Sequence, residues 1–171
     1  MLVRDSIRAL CQKKSSIGIL KSWDKLSAVS KLILSSFSEF ISSEYTDEGI
    51  AEFEKFVTPE ALKRRTADND FVRVAECDHE LVGMIEIRDN NHVALLFVDK
   101  AYQRHGVAKG LLEVALADAR TSGPEILRVT VNSSRYGVIA YEKLGFRQTG
   151  PERKVNGIAF IPMAMQLRNE D

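Results

Sequence analysis

The stretch VDKAYQRHGVAKGLL, Val98 to Leu112, decides how this chain is read. The apolar run HVALLFV (His92 to Val98) ends where it begins, and a short polar loop follows. From Gly106 onward Val107, Leu111, Leu112, Ala115 and Ala119 return at helical spacing. The segment therefore reads as a strand, a loop and a helix N-terminus. Such a terminus gathers unpaired amide N–H groups and about half a positive charge, which suits an anion. Gly106 lets a bulky phosphate approach the backbone, Ala108 keeps the first turn low, and Gln103, Arg104, His105 and Lys109 add donors. A phosphate or pyrophosphate is the expected guest. Two familiar phosphate loops fail on spacing. The Walker pattern is absent, and Val107-Ala108-Lys109-Gly110 after Gly106 does not fit Gly-x-Gly-x-x-Gly.

Upstream lies a meander. FVRVAE (71–76), LVGMIEIR (81–88) and HVALLFV are separated by the turns CDHE and DNN, which predicts short antiparallel strands. Before them SIGILK (16–21) reads as a first strand. Leu26, Val29, Leu32, Ile33, Phe37 and Phe40 predict an amphipathic helix over 24–41. A second helical region opens at Thr46, and Thr58-Pro59-Glu60 places a cap and a first-turn proline ahead of a third. Downstream, ILRVTVN (126–132) alternates as a strand, and SSRYGVIAYEKLGF is a capped helix with Gly145 at its C′ position. GIAFIPMAMQL is a last strand in which Pro162 marks an edge or a bulge. The order predicts an α+β fold, a mixed and mostly antiparallel sheet of about six to seven strands flanked by about four helices. One domain is expected over 16–168 after an N-terminal extension over 1–15, with a right-handed parallel crossover from Val93 to Asn132.

Composition narrows the function classes. The 171 residues carry 24 Lys plus Arg against 24 Asp plus Glu, so net charge draws the chain to neither nucleic acid nor acidic lipid. The longest apolar run, VALLFV, is far short of a membrane span, and the first residues lack the apolar centre of a secretory signal. Cys11 and Cys77 have no metal-ligand spacing and read as free thiols in a reducing compartment, so no metal and a cytoplasmic location are expected.

QRHGVA, Gln103 to Ala108, resembles the Gln/Arg-x-x-Gly-x-Gly/Ala signature of the GNAT superfamily of acetyl-CoA-dependent N-acetyltransferases. AYEKLGF (Ala140 to Phe146) stands where that superfamily carries its second signature, after one intervening strand, and the likeness runs from about Ile17 to Leu167. The resemblance implies the GNAT fold, with a strand that bulges and parts from the next parallel strand. It implies that the acyl-pantetheine arm of acetyl-CoA runs into the gap beside Leu96, Phe97 and Val98. The pyrophosphate would then lie on amides from Arg104 through His105, Gly106, Val107 and Ala108 to Lys109, next to Gln103. The implied reaction is direct transfer of the acetyl group to a primary amine on a small molecule or peptide, with no covalent acyl-enzyme.

The second signature departs from the pattern Asn-x-x-Ala-x-x-x-Tyr. Ser134 and Gly137 occupy the asparagine and alanine positions before Tyr141, and Asn132 lies two residues earlier. Asn132, Ser134, Gly137 and Tyr141 complete the implied cofactor contacts. Gly137 is open to two readings, close approach of the cofactor or a tight helix–sheet contact. The resemblance puts Tyr141 beside the departing sulfur, where a phenol of pKa ~10 can share or deliver a proton to a thiolate of pKa ~8.5. The amine must first lose a proton, and Glu86 and His92 are the candidate bases. Glu86 shares a strand face with Met84 and Arg88 and either meets the substrate or is simply solvated. His92 has a suitable pKa and is either a base or a hydrogen-bonding residue at a strand start.

Arg128, Thr130 and Asn132 give one strand a polar face, bordering a wet cleft or an exposed edge. The helical region 24–67, the acceptor-side wall in this superfamily, mixes Phe37, Phe40, Tyr45 and Phe53 with Glu39, Glu44, Asp47 and Glu48. Acids there would suit a cationic amine. The alternative is a non-catalytic acyl-CoA sensor or interaction domain of the same fold. The acceptor, and whether the chain is a monomer or a homodimer, stay open at this point.

Overall fold

The structure is a computed structural model that describes residues 15–19, 25–67, 71–122 and 126–167. Among them lie eight strands and five α-helices: β1 (Ser15–Ile19), α1 (Leu26–Phe40), α2 (Asp47–Phe56), α3 (Pro59–Ala67), β2 (Phe71–Cys77), β3 (Glu80–Arg88), β4 (His92–Val98), α4 (Val107–Ser122), β5 (Arg128–Ser133), α5 (Val138–Lys143), β6 (Arg147–Gln148), β7 (Arg153–Val155) and β8 (Ile158–Gln166). The extension expected over 1–15, apart from its last residue, and the reading of Cys11 fall outside the described residues. No described helix is long and apolar enough to cross a membrane.

The sheet runs β1-β2-β3-β4-β5-β8-β6, with β7 on the far part of β8. β1 to β4 are the antiparallel meander, and β5 pairs antiparallel with β8. Between the two groups stands the parallel contact of β4 with β5. Helix–strand alternation explains the two layers. Leu26, Val29, Leu32, Ile33 and Phe37 of α1, with Phe53 and Leu62, bury against Val72, Val74, Met84 and Leu95. On the opposite face Val107, Leu111, Leu112, Ala115 and Ala119 of α4 pack on Ala75, Ile85, Ile87, Val93, Val129 and Val131. Each fully buried Val, Leu, Ile, Phe or Met among them contributes roughly 1.5–3 kcal/mol on leaving water.

Local chemistry sets the boundaries. Thr46 Oγ1 accepts from Gly49 N and Thr58 Oγ1 from Ala61 N, both at 3.2 Å, as the sequence pattern predicts. Each cap adds about 1 kcal/mol. The tight turn between β7 and β8 uses Asn156 and Gly157 at φ +49° and +77°, the pair a two-residue hairpin demands. Its tip docks on α2, where Gly157 O accepts from Thr46 N at 3.1 Å. A Cβ on Gly49 would stand 2.3 Å from that carbonyl oxygen. Gly49→Ala is therefore expected to lower stability by roughly 1–2 kcal/mol, the overlap outweighing the gain in helix propensity. Thermal unfolding should show it as a fall of roughly 2–8 °C, and an unchanged or raised midpoint would show that the hairpin yields freely.

Four expectations need correcting. Eight strands replace six to seven, because β6 and β7 are only two and three residues long and leave no periodic signal. Pro162 lies in an interior strand rather than at an edge, opposite Asn132 of β5. It is tolerated because neither short neighbour pairs with it: β6 pairs only with Ala164 and Met163, β7 reaches no further along β8 than Phe160, and the Pro162 carbonyl is met by Thr149 N at 2.9 Å. The strand expected over 126–132 begins only at Arg128, and Leu127 ahead of it is exposed. Cys77 is disulfide-bonded and so is no free thiol.

Candidate active site

β4 and β5 stay together for only two positions, His92 with Thr130 and Val93 with Val131. Immediately afterwards Ala94 is an extra residue in β4, since Ile87 faces Val93 while Glu86 faces Leu95. This bulge bends β4, and from there the strands part. The register shows what the gap exposes. Asp99 N donates to Val82 O at 2.9 Å, so Phe97 and Leu95 take the hydrogen-bonded positions opposite Met84 and Glu86. Leu96 and Val98 consequently direct their N–H and C=O groups away from β3, into the gap. An unpaired edge of this kind is a template for an extended chain carrying amides.

The loop beyond β4 turns sharply. Asp99 Oδ1 accepts from Ala101 N at 2.9 Å, and Arg104 and Gly106 take φ of +62° and +81°. The first helical bond of α4 is Gly110 N to Gly106 O at 2.9 Å. The N–H groups of Val107, Ala108 and Lys109 hence have no intrahelical acceptor and carry the positive end of the dipole. Arg104, His105 and Lys109 are exposed around them, while the Val107 side chain is buried, leaving only its N–H to a ligand.

Across the gap, the turn after β5 carries the second cluster. α5 starts later than the sequence implies: Gly137 is its N-cap rather than an interior residue, so it escapes most of the penalty of a helical glycine. Ser134 Oγ accepts from Gly137 N at 3.0 Å, capping the turn in front of the helix. A Cβ at Gly137 would lie 2.8 Å from Ser133 Oγ and 3.4 Å from Tyr141 Cε2, which favours the helix–sheet reading of this glycine. Asn132 is exposed on the opposite face of β5.

Tyr141 is fixed by how α5 ends. Gly145, at φ +101°, donates its N–H to Glu142 O at 3.1 Å, and Phe146 N donates to Tyr141 O at 3.0 Å. This is a Schellman ending, and the apolar contact that accompanies such endings is here edge-on packing of Tyr141 on the fully buried Phe146, 5.3 Å between centroids. Burial pushes the phenol well above its ordinary value, so it stays protonated. No described residue hydrogen-bonds its hydroxyl, which remains available to a ligand.

The two candidate bases have different fates. Glu86 is neither solvated nor free. It is fully buried, and Arg65 of α3 reaches it twice, Nε to Oε1 at 2.6 Å and Nη2 to Oε2 at 3.1 Å. Arg65 also donates to Phe56 O at 2.7 Å and lies over the Phe56 ring, so the pair rivets α2 and α3 to the sheet. His92 stands at the closed end of the gap, its Nδ1 2.8 Å from Thr130 Oγ1. Burial, then Arg88, lowers its pKa, with Asp89 opposing. Two of the wall acids are also committed: Glu39 pairs with Lys100, and Glu44 accepts from the N–H groups of Arg135 and Tyr136 at 2.7 and 2.9 Å. The ties of Arg65 and Glu44 carried no sequence signal, because their partners lie 21 and 91 or more residues away.

A family profile described as an acetyltransferase (GNAT) domain matches residues 41–167. The chain belongs to the GNAT acetyltransferase family. No curated protein sequence matches this GNAT acetyltransferase. Among solved structures it is similar to a GCN5-related N-acetyltransferase from Rhodopseudomonas palustris, with a TM-score of 0.75 and 16% identity over 91% of this chain and 97% of that one. It is also similar to the PaiA N-acetyltransferase of Thermoplasma acidophilum in complex with coenzyme A, TM-score 0.73 and 21% identity over 90% and 99% of the two chains. A third likeness is to N-acetylglutamate synthase of Neisseria gonorrhoeae, complexed with coenzyme A and N-acetyl-glutamate, TM-score 0.65 and 17% identity over 92% of this chain and 36% of that one. At these identities the structural likeness speaks for the GNAT fold. Within this GNAT acetyltransferase Leu96, Val98 and the loop from Gln103 to Lys109 lie along and beyond β4, Ser134, Gly137 and Tyr141 follow the end of β5, and Glu86 of β3 is held by Arg65 of α3.

Proposed function

We propose that this GNAT acetyltransferase moves the acetyl group of acetyl-CoA directly onto a primary amine of a small molecule or peptide. The observation that carries the proposal is the parting of β4 from β5 after Val93, with a helix N-terminus at the mouth of the gap. The diphosphate would be held by the N–H groups around Gly106 to Lys109, and the amide-bearing arm by the gap-facing groups of Leu96 and Val98. A gap-facing N–H of that edge would polarise the thioester carbonyl as negative charge develops on its oxygen. The amine nitrogen forms the new C–N bond, the C–S bond breaks, and the Tyr141 hydroxyl donates to the leaving sulfur. His92 is the better base, because Glu86 is neutralised by Arg65. Its lowered pKa keeps the imidazole neutral near pH 7, ready to take the ammonium proton directly or through water. Glu39, Glu44 and Glu86 are partnered, which leaves Asp47 and Glu48 as the exposed acids of the wall.

Purified protein with acetyl-CoA and a panel of amino acids, monoamines, polyamines, aminoglycosides and peptides should release free thiol only with an acceptor present. Tight acetyl-CoA binding with no release for any amine would favour the sensor reading. With an active amine, kcat/KM should climb with pH along a limb lying below pH 6.5, the side to which burial moves His92. His92→Gln should erase that limb, and its survival would remove His92 from the chemistry.

A further inference from the structure

Tyr136 has no part in the reaction above, yet it is gripped on several sides. Its ring, 46% exposed, stacks on Phe40 of α1 with 4.7 Å between centroids and 10° between planes. Phe40 is backed by Lys100, which lies 5.7 Å from its ring and pairs with Glu39. The Tyr136 N–H is tied to Glu44 at 2.9 Å. Its hydroxyl donates to Gln103 Oε1 at 3.0 Å, and the other end of the same carboxamide, Nε2, donates to Val98 O at 3.2 Å. That Val98 carbonyl is one of the gap-facing groups of β4. A continuous bridge thus runs from β4 through Gln103 to the turn beyond β5, across the mouth of the gap.

The chemistry of the middle link is telling. A primary carboxamide presents an N–H donor and a C=O acceptor, the same pair that each amide of an extended arm would bring to this edge. Gln103 makes with Val98 the bond that such an arm would make. A carbonyl has two lone pairs, so the conflict is one of space more than of valence: anything threading between β4 and β5 from the loop must pass the bridge. Tyr136 is held by Phe40 and Glu44 independently of Gln103, whereas the Gln103 side chain is held only at its tip. Gln103 is the part that yields.

We infer that Gln103 is a displaceable stand-in for the cofactor's amide and that Tyr136 is the positioning residue that keeps it on Val98 until acetyl-CoA arrives. The inference rests on the cofactor reading above. On this inference the bridge spans the split until the arm takes its place on Val98.

The test compares wild type with Tyr136→Phe, which deletes the hydroxyl and keeps the ring on Phe40. Two ligands are titrated: acetyl-CoA, and adenosine 3′-phosphate 5′-diphosphate, which retains the nucleotide and diphosphate but lacks the arm. Tyr136→Phe should bind acetyl-CoA roughly three- to tenfold more tightly, the equivalent of one net hydrogen bond, with faster association in stopped flow. The nucleotide should bind both proteins within about twofold, because it never meets the bridge. Gln103→Asn, one methylene short of the span, should shift acetyl-CoA in the same direction if Tyr136→Phe does not fold. Equal or weaker acetyl-CoA binding by the variant, or parallel shifts for both ligands, would overturn the strap. A wild type that binds neither ligand would instead overturn the cofactor reading.

Discussion

Glutamate in place of Gly106 is expected to weaken acetyl-CoA binding by roughly 1,000-fold or more while the protein still folds. Two effects act at that position. Gly106 takes φ +81°, where an L-residue is strained by roughly 1–2 kcal/mol. A carboxylate at a helix N-terminus recovers roughly 0.3–1 kcal/mol of this from the dipole, and the remainder is small against a typical stability of about 5–15 kcal/mol. Binding suffers much more. Like charges about 4 Å apart repel by about 4 kcal/mol at the effective dielectric of a protein surface, which alone corresponds to roughly three decades in Kd. Gly106→Ala separates the causes, since it brings the strain without the charge and should cost less than about tenfold. Calorimetry on variants checked by circular dichroism reads both. A folded Gly106→Glu protein that binds acetyl-CoA normally would place the diphosphate elsewhere.

Tyr141→Phe is expected to cut kcat by roughly 100- to 1,000-fold, the scale of a general acid, while the Kd for acetyl-CoA moves less than about threefold. The asymmetry has a structural basis. The phenylalanine ring keeps the edge-on contact with Phe146, and the Schellman bonds at Glu142 and Tyr141 are backbone bonds that the change leaves alone. Only the hydroxyl goes, and no described residue hydrogen-bonds it. What is lost is therefore a donor that the leaving sulfur alone would use. Burial holds the phenol protonated well above neutral pH, so the defect should be the same at pH 7 and pH 9. A variant with near-normal turnover would show that the sulfur departs unaided or takes its proton from water.

The sequence carried the parts of this fold that local pattern can encode. The apolar positions of α1 and α4 lie on their buried faces, both threonine caps close, and the loop from Asp99 to Gly106 turns where glycine and polar residues demand. The split between β4 and β5 was legible only through the resemblance, since nothing in HVALLFV marks Ala94 as the extra residue; that follows from its register with β3. The site was less legible for a related reason. Glu86 alternates as a surface residue would, and its burial depends on Arg65, which a helix delivers from 21 residues upstream. Tyr136 is one of several tyrosines in the sequence, and its contacts come from α1, the phosphate loop and the segment before α2. Charge complementarity across such separations has no period and leaves no pattern to read.

The two paired positions between β4 and β5 also make the middle of the sheet its weakest seam. A strand flanked on both sides ordinarily resists opening best, but here the backbone of Leu96 and Val98 lacks ladder partners on one side. The two halves are joined by a narrow waist, the shared core beneath α4 and α5, and the clasp of the β7–β8 tip on α2. A guest lying along the seam would act as a missing rung, so loading the molecule and stiffening it would be one event.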